Sequence, residues 1–429
     1  MNTSEKPQNP ADVRTTRTRL FRTVIAVALA GLSANGCLAP AADDQSPAPG
    51  SHRILAEDGV VSFPFDIYRG DIRFGAEING REVKLLLDDG FMWDQVLFWG
   101  GPEVDALGLV PDGEVSIGGE NDKNAIASTT ASGITIRFPG VEFTDQSAVI
   151  TPNSSGTRSM WEGSVGQVSG TFLKHFVVDI NFDTMMITMI EPEKFEYEGE
   201  GSAVPWRPLE VGAWSIPGTL HLADGRRVAM EFMMDLGYNN QAQIATGGEH
   251  GISTPGKALP ASLGFNIKRE EIRGHLGRVP RIEIGGFEVE DVLASFVLEE
   301  QGDEVFHEVM IGLGLLSRFN LIFDYSRQRL IVEPNGSFGD SFEHNMSGVS
   351  MSRGGGDDLR VLSVQAGSPA AEAGVEAGDR IIEIDGKPAV DFGFWDLIPF
   401  FKREGETVEM IIARDEEELE ISFVLRRVI

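Results

Sequence analysis

Apolar and polar residues alternate along most of the chain in short runs. β-branched and aromatic residues fill these runs, and Gly, Pro, Asn and Asp bound them, which predicts strands and tight turns rather than long helices. One pattern occurs twice. Gly80-Arg81-Glu82-Val83-Lys84-Leu85-Leu86-Leu87-Asp88-Asp89-Gly90 predicts a turn, a buried strand and an Asp-x-Gly loop. Gly225-Arg226-Arg227-Val228-Ala229-Met230-Glu231-Phe232-Met233-Met234-Asp235-Leu236-Gly237 predicts the same, 147 residues later. Downstream, Ile134–Phe143 and Arg281–Val289 each predict a hairpin about a Gly-centred turn. Each copy then closes alike. Ser164-Val165-Gly166, Phe172–Phe176 and Phe182-Asp183 match Met310-Ile311-Gly312, Leu315–Phe319 and Phe323-Asp324. A repeat of this length predicts two similar folded units, 57–198 and 199–338.

A lone Asp-x-Gly after an apolar strand is ordinarily a turn, because Asp and Gly favour turns for local reasons. Two copies at matching strand ends, each with the same closing block, resemble the retropepsin-like aspartic protease family. The resemblance covers roughly residues 57–338 as two fused lobes. It implies two β-barrel lobes about a pseudo-twofold axis, with Asp88 and Asp235 as the catalytic pair. It further implies that Asp89, Gly90, Leu236 and Gly237 complete the two loops, and that Gly166 and Gly312 belong to each lobe's apolar-apolar-Gly motif. Two carboxylates held face to face cannot both ionise, so one would activate a water and the other would protonate the scissile carbonyl. The sequence departs from the family where Thr or Ser is usual, with Asp89 in one loop and Leu236 in the other. It departs again at Phe91 and Tyr238, where small residues are usual. Two readings therefore stay open: an aspartic-type endopeptidase, or an inactive protease-like protein that binds peptides. Flaps over the cleft are expected near 115–133 and 265–279. A metal site through Asp88, Asp89 and Asp94 lacks the spacing of a calcium loop, so no metal or cofactor is expected.

After a linker at Asn335–Asp340, residues 344–429 resemble a PDZ domain, a small α+β module. The resemblance rests on Gly367-Ser368-Pro369-Ala370-Ala371-Glu372-Ala373-Gly374 and Gly378-Asp379-Arg380-Ile381-Ile382-Glu383-Ile384-Asp385-Gly386. Ser368 and Pro369 read as a helix start, Gly374 as its end, and Asp385-Gly386 as a hairpin turn. Such modules add a peptide strand to a sheet edge and hold its terminal carboxylate on backbone N–H groups. Ser347, Gly348, Val349, Ser350 and Met351 fit the carboxylate loop. Phe392–Lys402 fits the groove helix, with Trp395, Ile398 and Phe401 either in the groove or in the module core, and with Pro399 shortening it.

The N-terminus carries Arg14, Arg17, Arg19 and Arg22, the apolar run Val24–Leu32, and small residues leading to Cys37. These are the parts of a bacterial export signal over 1–36. Gly36-Cys37 resembles a lipoprotein signal with Cys37 lipidated, although Ala34 stands where Leu is usual. Cleavage after Ala39-Pro40-Ala41 is the alternative. Residues 37–56, rich in Ala, Pro, Ser and Asp, read as a flexible tether. The expected location is the bacterial cell envelope, as a periplasm-facing lipoprotein of the outer membrane, or outside the cell.

Composition narrows the partners. The 429 residues hold 36 Lys and Arg against 66 Asp and Glu, a formal charge of −30. The signal segment has five basic and two acidic residues, so the remainder carries −33. That argues against nucleic acid. The single cysteine excludes an internal disulfide and zinc sites built on cysteine pairs. The expected partners are a polypeptide substrate or peptide ligand, and the membrane through the lipid.

Overall fold

The computed structural model describes residues 50–90, 94–117, 126–153, 163–209, 213–265, 271–298, 307–353, 359–392, 397–415 and 417–429. The expected export signal, Cys37 and most of the expected tether lie outside this set. Among the described residues no helix is long and apolar enough to cross a membrane.

The chain is mainly β, with two barrel-like lobes and a C-terminal α+β module. In lobe 1, strands Val60–Tyr68, Asp71–Ile78 and Arg81–Leu87 form an antiparallel meander. Arg81–Leu87 then runs parallel to Gly166–Val168, which lies beside Val96–Trp99. Val96–Trp99 pairs with Val141–Thr151, the return arm of a hairpin from Ile126–Phe138. Lobe 2 repeats this wiring. Trp214–His221 pairs with Arg227–Asp235, which runs parallel to Val309–Gly312. Ala242–Ala245 lies between Val309–Gly312 and Phe287–Val297, and the latter pairs with Glu271–Ile284. The expected two-lobe organisation is therefore the observed one, and the repeated hairpins fall where the repeat predicts them. In the turn before each Asp-bearing strand, Gly80 and Gly225 adopt positive φ (84° and 85°), which glycine takes without steric cost.

The lobes meet in a shared sheet. Val177–Asn181 pairs antiparallel with Phe319–Asp324, Val177 opposite Asp324. Hairpin partners Met186–Ile190 and Arg329–Pro334 flank this pair, followed by Val60–Tyr68 and Ser202–Pro205. Both hairpin turns are fastened alike. Asn181 Oδ1 accepts from Thr184 N at 2.9 Å, and Asp324 Oδ1 accepts from Arg327 N at 3.2 Å. The hairpin registers make Asn181 the counterpart of Asp324, two residues before the Asp183 that the sequence pattern aligned with it. One apolar core runs beneath both lobes, and a smaller one of Val177, Phe195, Ile322 and Ile331 covers the sheet's other face.

Two expectations need correction at their edges. The tether ends earlier than residue 56. His52–Ile54 pairs with Val141–Thr151, and Ile54 is buried. The linker after Pro334 is not loose. Asn335 Nδ2 donates to Ser317 O at 2.8 Å, Arg318 Nη1 to Ser337 O at 2.9 Å, and Gly336 N to Asp183 Oδ1 at 2.9 Å. Phe338 packs edge-on against Phe319, and Phe342 joins the lobes' core.

The C-terminal module has a sheet ordered Val349–Arg353, Leu359–Val364, Arg380–Ile384, Thr407–Arg414, Glu417–Val424. Ser368 accepts from Ala371 N at 3.3 Å and starts the helix Pro369–Glu372. Gly374 has φ 91°, and Asp385 and Gly386 both have positive φ, as their turns require.

Candidate active site

Asp88 follows the strand Arg81–Leu87, and Asp235 ends the strand Arg227–Asp235. The parallel pairings fix both strand ends beneath the interlobe surface. The two loops cross. A Cβ placed on Gly90 would stand 2.7 Å from Asp235 Oδ2 and closer still to its Cγ. A Cβ placed on Gly237 would stand 2.5 Å from Asp88 Cγ and Oδ1. Each motif's glycine is thus the floor beneath the other lobe's carboxylate, and no larger residue fits there. Gly237 N also donates to Asp235 Oδ1 at 2.8 Å, and Asp88 N to Val168 O at 3.0 Å. Both carboxylates are half-buried. Burial, then the charges of Asp88 and Asp89, push Asp235 well above the usual carboxylate range.

The middle residues of the loops join the lobes in half of a reciprocal pair. The side chain of Asp89 accepts a hydrogen bond from Leu236 N across the axis. Leu236 returns nothing and lies in the apolar core. Asp89 is 4% exposed, and its Oδ2 has no protein partner. Burial, partly offset by the Leu236 bond, and the nearby Asp88 raise its carboxyl to about 7. The ring of Tyr238 packs on Gly312, where a Cβ would lie 2.5 Å from its Cδ1, so Tyr238 does not separate the two acids. Phe91 lies outside the described residues.

Strand register reveals an asymmetry that the sequence pattern missed. Leu86 pairs with Gln167 as Met233 pairs with Met310, and Gln167 and Met310 occupy equivalent positions. The counterpart of Gly312 is therefore Ser169, and that of Gly166 is Val309. The expected equivalence of Gly166 and Gly312 is off by three residues. Gly166 serves a different contact, since a Cβ there would meet Phe98 Cδ1 at 2.9 Å and Leu97 O more closely. On the other side of the loops, Ile72 pairs with Leu87 and Ser215 with Met233, which sets Asp71 beside Asp88 and Ala213 beside Asp235. Burial and the charge of Asp88 raise Asp71 to about 7. Gln167 Nε2 donates to Asp88 Oδ2 at 2.8 Å. Around Asp88 stand Asp71, Asp89 and Gln167. The equivalent places around Asp235 hold Ala213, Leu236 and Met310.

Of the expected flaps, 118–125 and 266–270 lie outside the described residues. Their arms are present as long antiparallel pairs, Pro111–Ile117 with Ile126–Phe138 and Ala258–Phe265 with Glu271–Ile284. Asp94 pairs with Lys174 at 2.8 Å. Among the described residues the one group with metal-like spacing is His221, Glu283 and Glu288, on lobe 2. Its carboxylates already pair with Arg227 and Arg281. A cavity of about 1740 Å³ lies on lobe 1 between Glu77, Trp99 and Phe138, and neither Asp88 nor Asp235 lines it.

In the C-terminal module Val349–Arg353 is an edge strand, with no strand on its outer side among the described residues. Ser347 is buried, its Oγ accepts from Val349 N at 3.1 Å, and its carbonyl accepts from Ala370 N at 3.1 Å. Gly348 has φ 77° and lies against Ser368, which leaves no room for a side chain. Ser350 and Met351 continue along the edge strand. The helix beside this edge is shorter than the sequence suggests, Leu397–Phe400, and Met346 N donates to Phe401 O at 2.8 Å. Phe401 is core, and Trp395 lies outside the described residues. Asp379, which the sequence pattern did not single out, is buried and held by Arg414 Nε at 2.7 Å and Nη2 at 2.8 Å.

Residues 360–414 match the family model of the PDZ domain. No curated protein matches the chain. Among solved structures, an aspartic proteinase from Irpex lacteus is similar at 13% identity and TM-score 0.42, over 66% of this chain and 99% of that one. A photosystem II D1 C-terminal processing protease is similar at 22% identity and TM-score 0.19, over 20% of this chain and 24% of that one. The two-lobe reading rests on the strand pairing and the crossed loops, and the C-terminal module on its own match.

Proposed function

We propose that the chain is an aspartic-type endopeptidase of retropepsin-like descent, with Asp88 and Asp235 as its dyad and a PDZ module that binds polypeptide. The crossed loops carry this reading: each carboxylate rests on the glycine of the opposite lobe. Two acids from two lobes that rest on each other's loops can act as one pair, and burial and the anionic neighbours of Asp235 favour its protonated form.

The chemistry balances with one water. Ionised Asp88 takes a proton from the water as its oxygen bonds to the scissile carbonyl carbon. The carbonyl π pair moves to oxygen, which takes the proton of Asp235, leaving a neutral gem-diol. Asp88 then passes its proton to the amide nitrogen while the C–N bond breaks. A gem-diol proton returns to Asp235 and restores the starting pair. The edge strand Val349–Arg353 and the Ser347–Val349 loop bind an extended polypeptide and bring it to the lobes. The basic and apolar N-terminal segment and Cys37 support a location in the bacterial cell envelope, as a lipid-anchored protein facing the periplasm, or outside the cell.

The test is cleavage of casein and of mixed peptides from acid to neutral pH, with Asp88→Asn and Asp235→Asn as controls. Equal turnover by all three proteins would end the proposal. The second reading, a peptide-binding protein without turnover, has one observation in its favour: the dyad carries a third buried acid, Asp89, where the family has a hydroxyl. Peptide binding with no product at any pH would favour it.

A further inference from the structure

We infer that the dyad is polarised by its scaffold: Gln167 is a positioning residue that holds Asp88 as the ionised base, and the apolar half-site of lobe 2 makes Asp235 the acid. This rests on the endopeptidase reading above and assigns the two roles within it. The pseudo-twofold symmetry alone would leave the roles interchangeable, because a symmetric pair shares its proton equally. Three pairs of equivalent positions break that symmetry: the first favours the anion at Asp88, and the other two give Asp235 apolar neighbours where Asp88 has acids that oppose its charge once they ionise.

The first pair is Gln167 and Met310. Gln167 is 8% exposed, fixed by pairing with both Leu86 and Leu97, and donates to Asp88 Oδ2 at 2.8 Å. A thioether at the equivalent place has no proton to give. The second pair is Asp71 and Ala213, and the third is Asp89 and Leu236. A donor aimed at a carboxylate oxygen favours its ionised form, whereas apolar neighbours favour the neutral acid.

Several described groups face Asp88. Gln167 approaches from the strand Gly166–Val168, Asp71 from the strand Asp71–Ile78, Asp235 and Gly237 from the opposite loop, and Asp89 along the chain. Among these described neighbours the Gln167 amide is the one side chain that favours the anion at every pH. Asp71 and Asp89 are neutral in acid, where such a dyad works, and do not oppose it there.

The experiment measures two quantities on the full chain. One is the pH dependence of kcat/KM for a cleaved peptide, and the other is the ¹³C carboxyl titration of Asp88, assigned through Asp88→Asn. Three variants are compared with the parent: Gln167→Met, which copies lobe 2, Gln167→Glu, and Met310→Gln. The inference predicts that the acidic limb and the Asp88 titration rise by about one pH unit in Gln167→Met, the size of one lost charge-assisted hydrogen bond. They rise further in Gln167→Glu. Met310→Gln moves the alkaline limb down and leaves the Asp88 titration in place. A merely structural Gln167 would lower activity equally at all pH values and leave the Asp88 titration where it was, which overturns the inference. Should Gln167→Met not fold, the Glu and Met310→Gln variants give the same decision. If the parent cleaves nothing, the endopeptidase reading fails, and the Asp88 titration still decides whether Gln167 holds the anion.

Discussion

Replacing Asp89 separates two roles that one side chain performs. Its carboxylate accepts from Leu236 N and so joins the lobes, and it is also a buried acid beside Asp88 and Asp235. An acid whose folded value lies above its unfolded one makes the native state bind more protons. For Asp89 the gap runs from 3.8 to about 7, so its contribution to stability falls as pH rises through that window. The gap sets a ceiling of about 4 kcal/mol at pH 8. Asp89→Asn keeps an acceptor for Leu236 N and removes the charge. Below pH 3.8, where Asp89 is neutral in both the folded and unfolded states, the variant should match the parent to within about 0.5 kcal/mol, and at pH 5 it should already be more stable by up to about 1.6 kcal/mol. At pH 8 it should be more stable, by about 1–4 kcal/mol. Asp89→Ala removes the acceptor too and leaves a buried N–H unpaired, which costs about 1–3 kcal/mol relative to Asn at every pH. Differential scanning calorimetry at pH 5, 6, 7 and 8 reads these differences in the lobe transition. A parent whose stability is flat over that range, or an Asn variant destabilised equally at pH 5 and pH 8, would refute the reasoning.

Gly90→Ala and Gly237→Ala each place a methyl group against the opposite carboxylate, so peptide cleavage should fall at least ~100-fold while circular dichroism stays native. A variant with full activity would show that the loops do not cross as described. Gly348→Ala should abolish binding of a fluorescent C-terminal peptide in an anisotropy titration, because Ser368 and a φ of 77° leave no place for the Cβ. Unchanged binding would move the carboxylate site elsewhere. Arg414→Met strands the buried Asp379 carboxylate, so the module's transition should lose about 3 kcal/mol, seen as a calorimetric shift of more than ~10 °C. A shift under ~2 °C would mean that the pair contributes little.

Much of this molecule was legible before any coordinates. Repetition exposes the two lobes, because a buried strand ending in Asp-x-Gly needs the same apolar run twice. The C-terminal helix start at Ser368 and the turn at Asp385-Gly386 follow from local chemistry, and local chemistry is written in adjacent residues. What the sequence concealed was register. Val165-Gly166 and Ile311-Gly312 look alike as dipeptides, yet parallel pairing with the Asp-bearing strands sets them three positions apart. Asp71, Gln167 and Tyr325 were equally hidden. Asp71 meets Asp88 only across a hairpin, and Gln167 only through a pairing that joins residues 79 apart. The ring of Tyr325, packed at a tilt against Trp206, reaches the backside of the Asp89 loop near Gly170. A polar residue inside an apolar strand, Gln167 between Gly166 and Val168, was the available signal. The half-made bond across the axis was foreseeable in part, since Asp89 can accept and Leu236 cannot.

The central claim is that Asp88 and Asp235 together hydrolyse peptide bonds. The most direct measurement is mass-spectrometric detection of peptide products from the purified full chain between about pH 3 and pH 8, beside Asp88→Asn and Asp235→Asn. The parent should give discrete internal cleavages and each variant a loss of at least ~1000-fold, as expected for groups that act as a unit. Products that persist undiminished in either variant would contradict it.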